Sequence, residues 1–251
     1  AAQLRDTAID LSDIAPDRAI RLLTTSMMSS IGGGKLGLAL EAAESAHRLA
    51  PPVGDPLELI ATLQLGKILV LTGNVTGGYP LVMRAAELLD PGCPLDRDAD
   101  LVQVAPALLT IEEYDLEARV LDRAVRTQRA ANALGLLAYS LAALSELDVR
   151  RGRWAAAEAN GAEAIQLARE AGQAGQTSYN LGRVARLDAA RGRDDQCRDR
   201  VARAVDVAAR HNYASTVPFA ESSLGLLDLG RRRMPEAIRH LAAAGRAFVE
   251  M

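Results

Sequence analysis

The chain has 251 residues, of which 49% are hydrophobic, 24% charged and 3% aromatic, and its formal net charge is −3 at pH 7. This apolar content excludes a disordered chain, and the low aromatic content argues against an all-β fold. The mild acidity argues against a nucleic-acid-binding domain, which usually carries a basic patch. The most apolar stretch, Leu134 to Leu144, is shorter than the ~20 residues that cross a bilayer. We therefore expect an all-α protein that contacts neither nucleic acid nor membrane directly.

Two observations bear on the compartment and on the ends of the chain. The two cysteines, Cys93 and Cys197, are too few for a disulfide-stabilised secreted scaffold, and the N-terminus lacks the pattern of a signal peptide. These features predict a cytoplasmic protein. The chain does not begin with methionine, so we interpret it as a piece of a longer polypeptide. Residues 1–13 are predicted to be the second helix of a unit whose first helix is missing.

After residue 13, one pattern recurs at intervals of about 40 residues, a period typical of repeat arrays. Each copy contains a helix with apolar residues at three-to-four spacing, a short turn, and a second helix with two small residues seven positions apart on one face. The predicted turn positions are Gly34, Gly73, Glu113, Gly152, Gly192 and Arg232. The small pairs are Ala39 and Ala46, Gly78 and Ala85, Ala118 and Val125, Ala157 and Ala164, Cys197 and Ala204, and Ala237 and Ala244.

The pattern predicts a single helical-repeat domain over residues 1–251, built of about six helix hairpins. Their approximate bounds are 14–53, 54–94, 95–132, 133–173, 174–213 and 214–251. One hairpin cannot bury its apolar face alone, so we expect neighbouring hairpins to stack around a continuous core. Glycine suits the turns because it adopts positive φ without strain.

Several of these features resemble the tetratricopeptide repeat. The turn glycine is followed two residues later by Trp154 and then by Ala157 and Ala164, and prolines at Pro51 and Pro91 close early units. The resemblance implies an all-α superhelical solenoid whose first helices line a concave binding face. Units of that family usually run to about 34 residues, and the units of this chain are several residues longer. HEAT-type repeats share this greater length and remain the alternative.

Charged pairs recur with the same period near the end of each first helix. The pairs are Asp148 and Arg151, Asp188 and Arg191, and Asp228 and Arg231. Residues three apart are neighbours on a helix surface. We interpret the series as ion pairs that interlock the stacked hairpins.

A candidate binding face is indicated by residues at the same interval in the first helices. Tyr139, Tyr179 and Phe219 recur with the period of the repeat, and seven positions further on the series reads Glu146, Arg186 and Leu226. Asn180, Arg183 and Tyr213 lie close by in sequence. We hypothesise that Tyr139, Glu146, Tyr179, Asn180, Arg183, Arg186 and Phe219 line a groove for a small effector or a peptide. The alternative is that the aromatic side chains only fill gaps between long helices.

No pattern of catalytic or metal-binding residues is present. The run 30–36 contains Gly34-Lys35, but Ser29 and Leu36 occupy the positions where a phosphate-binding loop needs glycine and Ser or Thr, so we predict a hairpin turn. None of the histidines has a second ligand at metal-motif spacing; they are His47, His211 and His240. We therefore expect a protein without enzymatic activity, metal or cofactor.

The turns and one helix end also resemble a larger family. Arg151-Gly152-Arg153-Trp154, Arg191-Gly192-Arg193-Asp194 and the stretch Ala-Ile-Gln-Leu-Ala-Arg-Glu-Ala-Gly at 164–172 are similar to the helical-repeat segment of LuxR-type transcription regulators with a signalling ATPase, such as the maltose regulator. The resemblance implies a parent chain with an ATPase before the repeats and a helix-turn-helix domain after them. In it the repeats would sense an effector and contribute to self-association. The alternative is a tetratricopeptide-type scaffold that binds partner peptides.

Overall fold

The computed structural model describes residues 2–51, 55–87 and 98–249, and these residues form α-helices joined by short turns, with no strand among them. The helices are α1 (Ala2–Leu11), α2 (Pro16–Gly32), α3 (Leu36–Arg48), α4 (Pro56–Leu71), α5 (Val75–Glu87), α6 (Asp98–Thr110), α7 (Tyr114–Ala130), α8 (Leu134–Arg150), α9 (Trp154–Glu170), α10 (Ala174–Ala190), α11 (Asp194–His211), α12 (Val217–Gly230) and α13 (Met234–Val249). A 3-10 turn, Ala214–Thr216, precedes α12. Throughout the described part of the chain, every helix falls short of the length and apolarity that a bilayer crossing requires.

Left-handed backbone conformations end the helices at regular intervals. From Glu112 onward a residue with positive φ occurs twice in each repeat at even spacing; the series is Glu112, Asn132, Gly152, Gly172, Gly192, Asn212 and Arg232. The next N–H then donates to a carbonyl in the last helical turn, as in Arg153 N–H to Asp148 O at 2.8 Å. This closure satisfies carbonyls that the helix end leaves free. Each repeat therefore consists of two helix-and-turn segments of equal length.

Most predicted turn positions carry this conformation. Gly34 has φ 70° and Gly73 has φ 93°, so the run 30–36 contains a turn between α2 and α3, as predicted. The third predicted position is wrong by one residue, because Glu112, with φ 63°, adopts the left-handed conformation instead of Glu113. Pro91 and Cys93 lie outside the described residues.

The chain divides into two compact units, Ala1–Asp122 and Arg123–Met251, which we call the N-terminal half and the C-terminal half. In the N-terminal half, α2 packs against α3, and α4 packs against α3, α5 and α6. The core brings large residues of α2 such as Leu23 and Met27 against the small residues Ala39 and Ala43 of α3. Small residues on α3 let the helix axes approach closely while the larger side chains fill the remaining space.

In the C-terminal half, α8 pairs with α9, α10 with α11, and α12 with α13. The first helices of these hairpins also contact one another, because α10 packs against both α8 and α12. Six of the small residues predicted to face the core are buried in this half; they are Ala157, Ala164, Cys197, Ala204, Ala237 and Ala244. The predicted pair Ala118 and Val125 is wrong by one residue, because both are only partly buried and the preceding residues, Glu117 and Ala124, are the buried ones.

The recurring aspartates lie buried between the two helices of their own hairpins. Each forms an ion pair with the arginine five residues later; the pairs are Asp148 with Arg153 at 2.6 Å, Asp188 with Arg193 at 3.7 Å and Asp228 with Arg233 at 3.3 Å. Each also faces the residue twelve positions later, on the second helix: Asn160 at 2.9 Å, Arg200 at 2.7 Å and His240 at 3.7 Å. A buried carboxylate thus ties both the turn and the second helix to the first helix.

The partners predicted for these aspartates are wrong in two of the three pairs. Arg191 reaches back to Glu158 of the preceding hairpin, and Arg231 donates to the backbone oxygen of Gly192 at 2.6 Å. These arginines follow the ends of their helices, so their long side chains extend toward the neighbouring hairpin and not toward the buried aspartate. The expectation of ion pairs that link hairpins is nevertheless confirmed by the Arg191–Glu158 pair.

Candidate ligand-binding cluster in the C-terminal half

The aromatic series of the first helices forms a contact in the C-terminal half. Tyr179 is the sixth residue of α10, and Phe219 is the sixth residue counted from the start of the 3-10 turn that precedes α12. Because α10 and α12 pack side by side, equivalent positions become neighbours. The ring centroids of Tyr179 and Phe219 are 5.2 Å apart with an interplanar angle of 82°. This edge-to-face geometry is one of the arrangements that aromatic pairs prefer.

Arg183 stacks on both rings. It lies one helical turn after Tyr179 on α10, and its guanidinium carbon is 4.8 Å from the centroid of Tyr179 and 5.4 Å from that of Phe219. A cation over an aromatic face is attracted by the electrons of the ring. The three side chains are each partly exposed, so the stack forms part of the protein surface.

Two further tyrosines belong to the same neighbourhood. Burial raises the pKa of Tyr139 on α8, and the nearby Tyr179 raises it further. Burial also raises the pKa of Tyr179 and of Tyr213, which follows the left-handed residue at the end of α11. All three phenols therefore stay protonated at neutral pH and can donate a hydrogen bond.

A buried carboxylate with several arginines forms the charged end of the cluster. Glu146 Oε1 accepts from Arg150 Nε at 3.2 Å and from Arg186 Nη1 at 3.1 Å. Burial acts to raise the pKa of Glu146, but the charges of Arg183, Arg186 and Arg150 together outweigh burial and hold that pKa below its usual value. Three guanidinium groups therefore lie near one buried carboxylate.

We call this set the Tyr–Arg cluster; it comprises Tyr139, Glu146, Arg150, Tyr179, Arg183, Arg186, Tyr213 and Phe219. The structure places Asn180 elsewhere, because its side chain is buried and its amide donates to Ala164 O on α9 at 3.4 Å. Six of the seven residues proposed from the sequence therefore meet. Arg150 was missed, although its position four residues after Glu146 on one helix is a recognisable signal for an ion pair.

The metal-ligating and thiol groups of the described residues are also candidate sites of chemistry. Over the part of the chain that the structure describes, no group of three or more His, Cys, Asp or Glu could hold a metal ion. Cys197 is buried, and burial raises the pKa of its thiol to about 12. The thiol thus stays protonated and serves as a small core residue.

Comparison with known proteins gives a result only at the level of structure. No protein-family model and no curated protein matches the sequence. Among solved structures the chain is similar to a Rap protein complexed with Competence and Sporulation Factor, with a TM-score of 0.67 and 11% identity over 98% of this chain and 80% of that chain. It is also similar to BtubC (BKLC) from P. vanneervenii, with a TM-score of 0.53 and 13% identity over 90% of each chain.

At these identities the likeness concerns the fold alone. The chain superposes on a tetratricopeptide-type repeat protein over almost its full length. The predicted all-α helical-repeat solenoid of the tetratricopeptide type is therefore confirmed.

Proposed function

We propose that the chain is a binding module, without catalytic activity, whose Tyr–Arg cluster takes up a segment of a peptide or protein partner. The observation that carries the proposal is the juxtaposition of three arginines, a single buried carboxylate and a partly exposed aromatic stack on neighbouring helices. The arginines suit an acidic group of the partner. The aromatic stack suits an apolar or aromatic side chain.

The fold supports the same proposal. First helices that lie side by side present equivalent residues as one surface, and this surface accommodates an extended chain better than a small closed pocket would. A protein of similar fold, the Rap protein, is complexed with another factor, Competence and Sporulation Factor. We expect the partner of this chain to bind across α8, α10 and α12, where the Tyr–Arg cluster lies.

The experiment measures fluorescence anisotropy of labelled octapeptides that are either acidic or basic and either contain or lack tryptophan. We expect acidic peptides with tryptophan to bind most tightly, because both features of the cluster are then used. Arg186→Met should weaken binding about tenfold, which corresponds to ~1.4 kcal/mol. The matched control is Arg203→Met on α11, an exposed arginine that pairs only locally with Asp199 at 3.3 Å.

Two results would contradict the proposal. Equal affinity for all peptide classes would show that neither charge nor aromatic character determines binding. A loss of affinity in Arg186→Met no larger than that in Arg203→Met would show that the Tyr–Arg cluster does not bind the peptides. A thermal-shift screen of sugars, nucleotides and amino acids would then test the small-effector hypothesis in its place.

We further propose that the module is the regulatory segment of a cytoplasmic LuxR-type transcription regulator. The support is the repeat length of about 40 residues and the two Arg-Gly-Arg turns, Arg151–Arg153 and Arg191–Arg193. Partner binding would then change the activity of a DNA-binding domain elsewhere in the parent chain. The complete reading frame tests this: a helix-turn-helix segment after the repeats is expected, and its absence would favour the scaffold alternative.

A further inference from the structure

Lys67 places a buried ammonium group on α4 of the N-terminal half. The residue is 5% exposed, and its Nζ contacts Met28 Sδ on α2 at 3.8 Å. Among the described residues no carboxylate lies within ion-pair distance of this Nζ. A thioether sulfur is a weak acceptor, and an isolated buried ammonium is costly unless it is paired. The ammonium therefore needs a counter-charge that the described side chains do not provide.

The other charged residue of α4 and the histidine packed against this helix lie away from Lys67. Glu58 is the second buried charge of α4, and it accepts from Arg84 of α5 at 2.7 Å. It precedes Lys67 by nine positions, about 13 Å along the helix axis. His47 of α3 contacts Thr62 at 3.3 Å, toward the same end as Glu58.

The remaining charged groups of the neighbouring helices do not supply a counter-ion. The side chains that the structure describes on α6, at positions 102–110, include no charged group. The charged side chains of α2 and of the rest of α3 are exposed; they are Asp17, Arg18, Arg21, Glu41, Glu44 and Arg48. The environment of the ammonium is thus apolar or neutral among the described residues.

The repeat relates Lys67 to residues of the other hairpins. Lys67 follows Met28 by one repeat, and the same position in later hairpins holds Pro106, Glu146, Arg186 and Leu226. Glu146 and Arg186 form the charged end of the Tyr–Arg cluster in their own half. Lys67 therefore occupies the repeat position that contributes charged residues to that cluster.

Met28 provides access to the ammonium. It is partly exposed, whereas Lys67 beneath it is buried. The unbranched methionine side chain has three rotatable bonds and changes rotamer easily. The thioether is therefore the group that a ligand would displace to reach Nζ.

We propose that Lys67 and the displaceable Met28 form a carboxylate-binding site in the N-terminal half. A carboxylate is favoured over a phosphate because one negative charge neutralises one buried ammonium. A dianion would leave excess charge in a site without arginine, since Arg84 is committed to Glu58. The neighbouring amide pair, Gln64 Nε2 donating to Gln103 Oε1 at 3.1 Å, is polar but neutral.

The acid–base behaviour of Lys67 supplies the readout. Burial lowers the pKa of Lys67 to about 8. A bound carboxylate stabilises the ammonium form, so it raises this pKa toward the ordinary value for lysine. By the same linkage the carboxylate binds more tightly as the pH falls through 8, where Lys67 becomes protonated.

The experiment uses the fact that the chain has two lysines, exposed Lys35 and buried Lys67. The full chain is labelled with ¹³C- and ¹⁵N-lysine and followed by NMR. The Lys67→Met variant lacks one of the two lysine side-chain signals, so it assigns both. The substitution places methionine, the residue found at position 28, at position 67. Acetate, N-acetylglycine, N-acetylglycinamide and inorganic phosphate are then titrated at constant ionic strength. Thermal unfolding of the wild type and of Lys67→Met is followed with each probe.

We expect acetate and N-acetylglycine to raise the pKa of Lys67 saturably, to leave Lys35 unchanged and to raise the unfolding temperature of the wild type but not of Lys67→Met. N-acetylglycinamide should have no effect. A site for a peptide carboxylate predicts tighter binding of N-acetylglycine, and a site for a free acid predicts tighter binding of acetate. The proposal is overturned if Lys67 shows the ordinary lysine pKa without any probe, if only phosphate acts, or if both lysines respond alike.

Discussion

At the scale of single residues, one helix-ending turn lacks the glycine that the equivalent turns of the two preceding hairpins contain. Gly152 and Gly192 carry the left-handed conformation at the middle of two hairpins, and the equivalent position in the last hairpin holds Arg232 with φ 59°. A residue with a Cβ atom is destabilised by about 1–2 kcal/mol in this conformation. Glycine loses part of that advantage because its unfolded state has greater entropy.

We therefore expect Arg232→Gly to stabilise the protein by about 0.5–1 kcal/mol. Arg232 is exposed, so the substitution removes no buried contact. Urea unfolding of both proteins measures the change. The reverse substitution at the equivalent position, Gly192→Arg, should destabilise the protein by a comparable amount, and a loss of stability in Arg232→Gly would contradict the argument.

Glu146 is the residue whose ionisation most directly supports the Tyr–Arg cluster. Its pKa is held below the usual value in the folded state, so its charge contributes stability above the unfolded-state pKa of about 4.3, and this contribution is lost as the pH falls through the lowered folded-state pKa. Glu146→Gln should cost about 1–3 kcal/mol at neutral pH. The difference from the wild type should shrink below pH ~4.

The pH dependence of the free energy of unfolding, measured for both proteins by urea titration, tests this expectation. Glu170→Gln, at an exposed position on α9, is the control and should change stability little at any pH. A difference between wild type and Glu146→Gln that stays constant between pH 7 and pH 3 would show that the carboxylate charge does not hold the arginines in place.

At the scale of elements, small residues decide how closely the paired helices approach. Gly66 of α4 and Gly78 of α5 meet backbone to backbone: a Cβ atom added at Gly78 would lie 2.4 Å from Gly66 O. By contrast, a Cβ atom added at Gly245 in α13 has no heavy atom within 4 Å. Replacement of glycine by alanine would therefore cause crowding at position 78 and none at position 245.

Gly78→Ala should destabilise the protein by about 1–3 kcal/mol, because the helices must separate and the gain in helix propensity is smaller than the packing loss. Gly245→Ala should stabilise it by up to ~1 kcal/mol, since only propensity changes. Thermal unfolding of the two variants beside the wild type measures both effects. Equal shifts of the same sign would contradict the packing argument.

At the scale of the whole molecule, each half has a core of its own. The N-terminal half is centred on α2, α3 and α4, and the C-terminal half contains buried clusters around Leu141, Leu181 and Leu227. The Tyr–Arg cluster draws every member from the C-terminal half. Its geometry therefore depends on contacts among α8, α10, α12 and the helices paired with them.

We expect residues 114–251, which begin at the start of α7, to fold on their own and to bind the acidic octapeptides with an affinity close to that of the full chain. Circular dichroism and fluorescence anisotropy measure the two properties. A fragment that is unfolded, or one that is helical but does not bind, would show that the N-terminal half is needed for the site.

Much of the fold could be predicted from the sequence because repeat periodicity is a local signal. Helix content, the turn positions apart from Glu112 and the buried small residues apart from those of α7 follow from spacing along one chain. Position 112 was misplaced because glutamate lacks the conformational signature that glycine provides at most of the other predicted turns. The register of Tyr139, Tyr179 and Phe219, and that of Glu146 with Arg186, was likewise visible as the interval of one repeat.

Tertiary structure determined which side chains contact one another. The aspartates near the helix ends bind residues five and twelve positions later, and Arg191 reaches a neighbouring hairpin, because side-chain direction depends on how the hairpins stack. Packing also buried the amide of Asn180 against α9 and enclosed the ammonium of Lys67 beneath Met28. The sequence by itself determined which residues share a face of a helix. Only the packed helices determined which of those faces are covered, since burial is a property of neighbours that are distant along the chain.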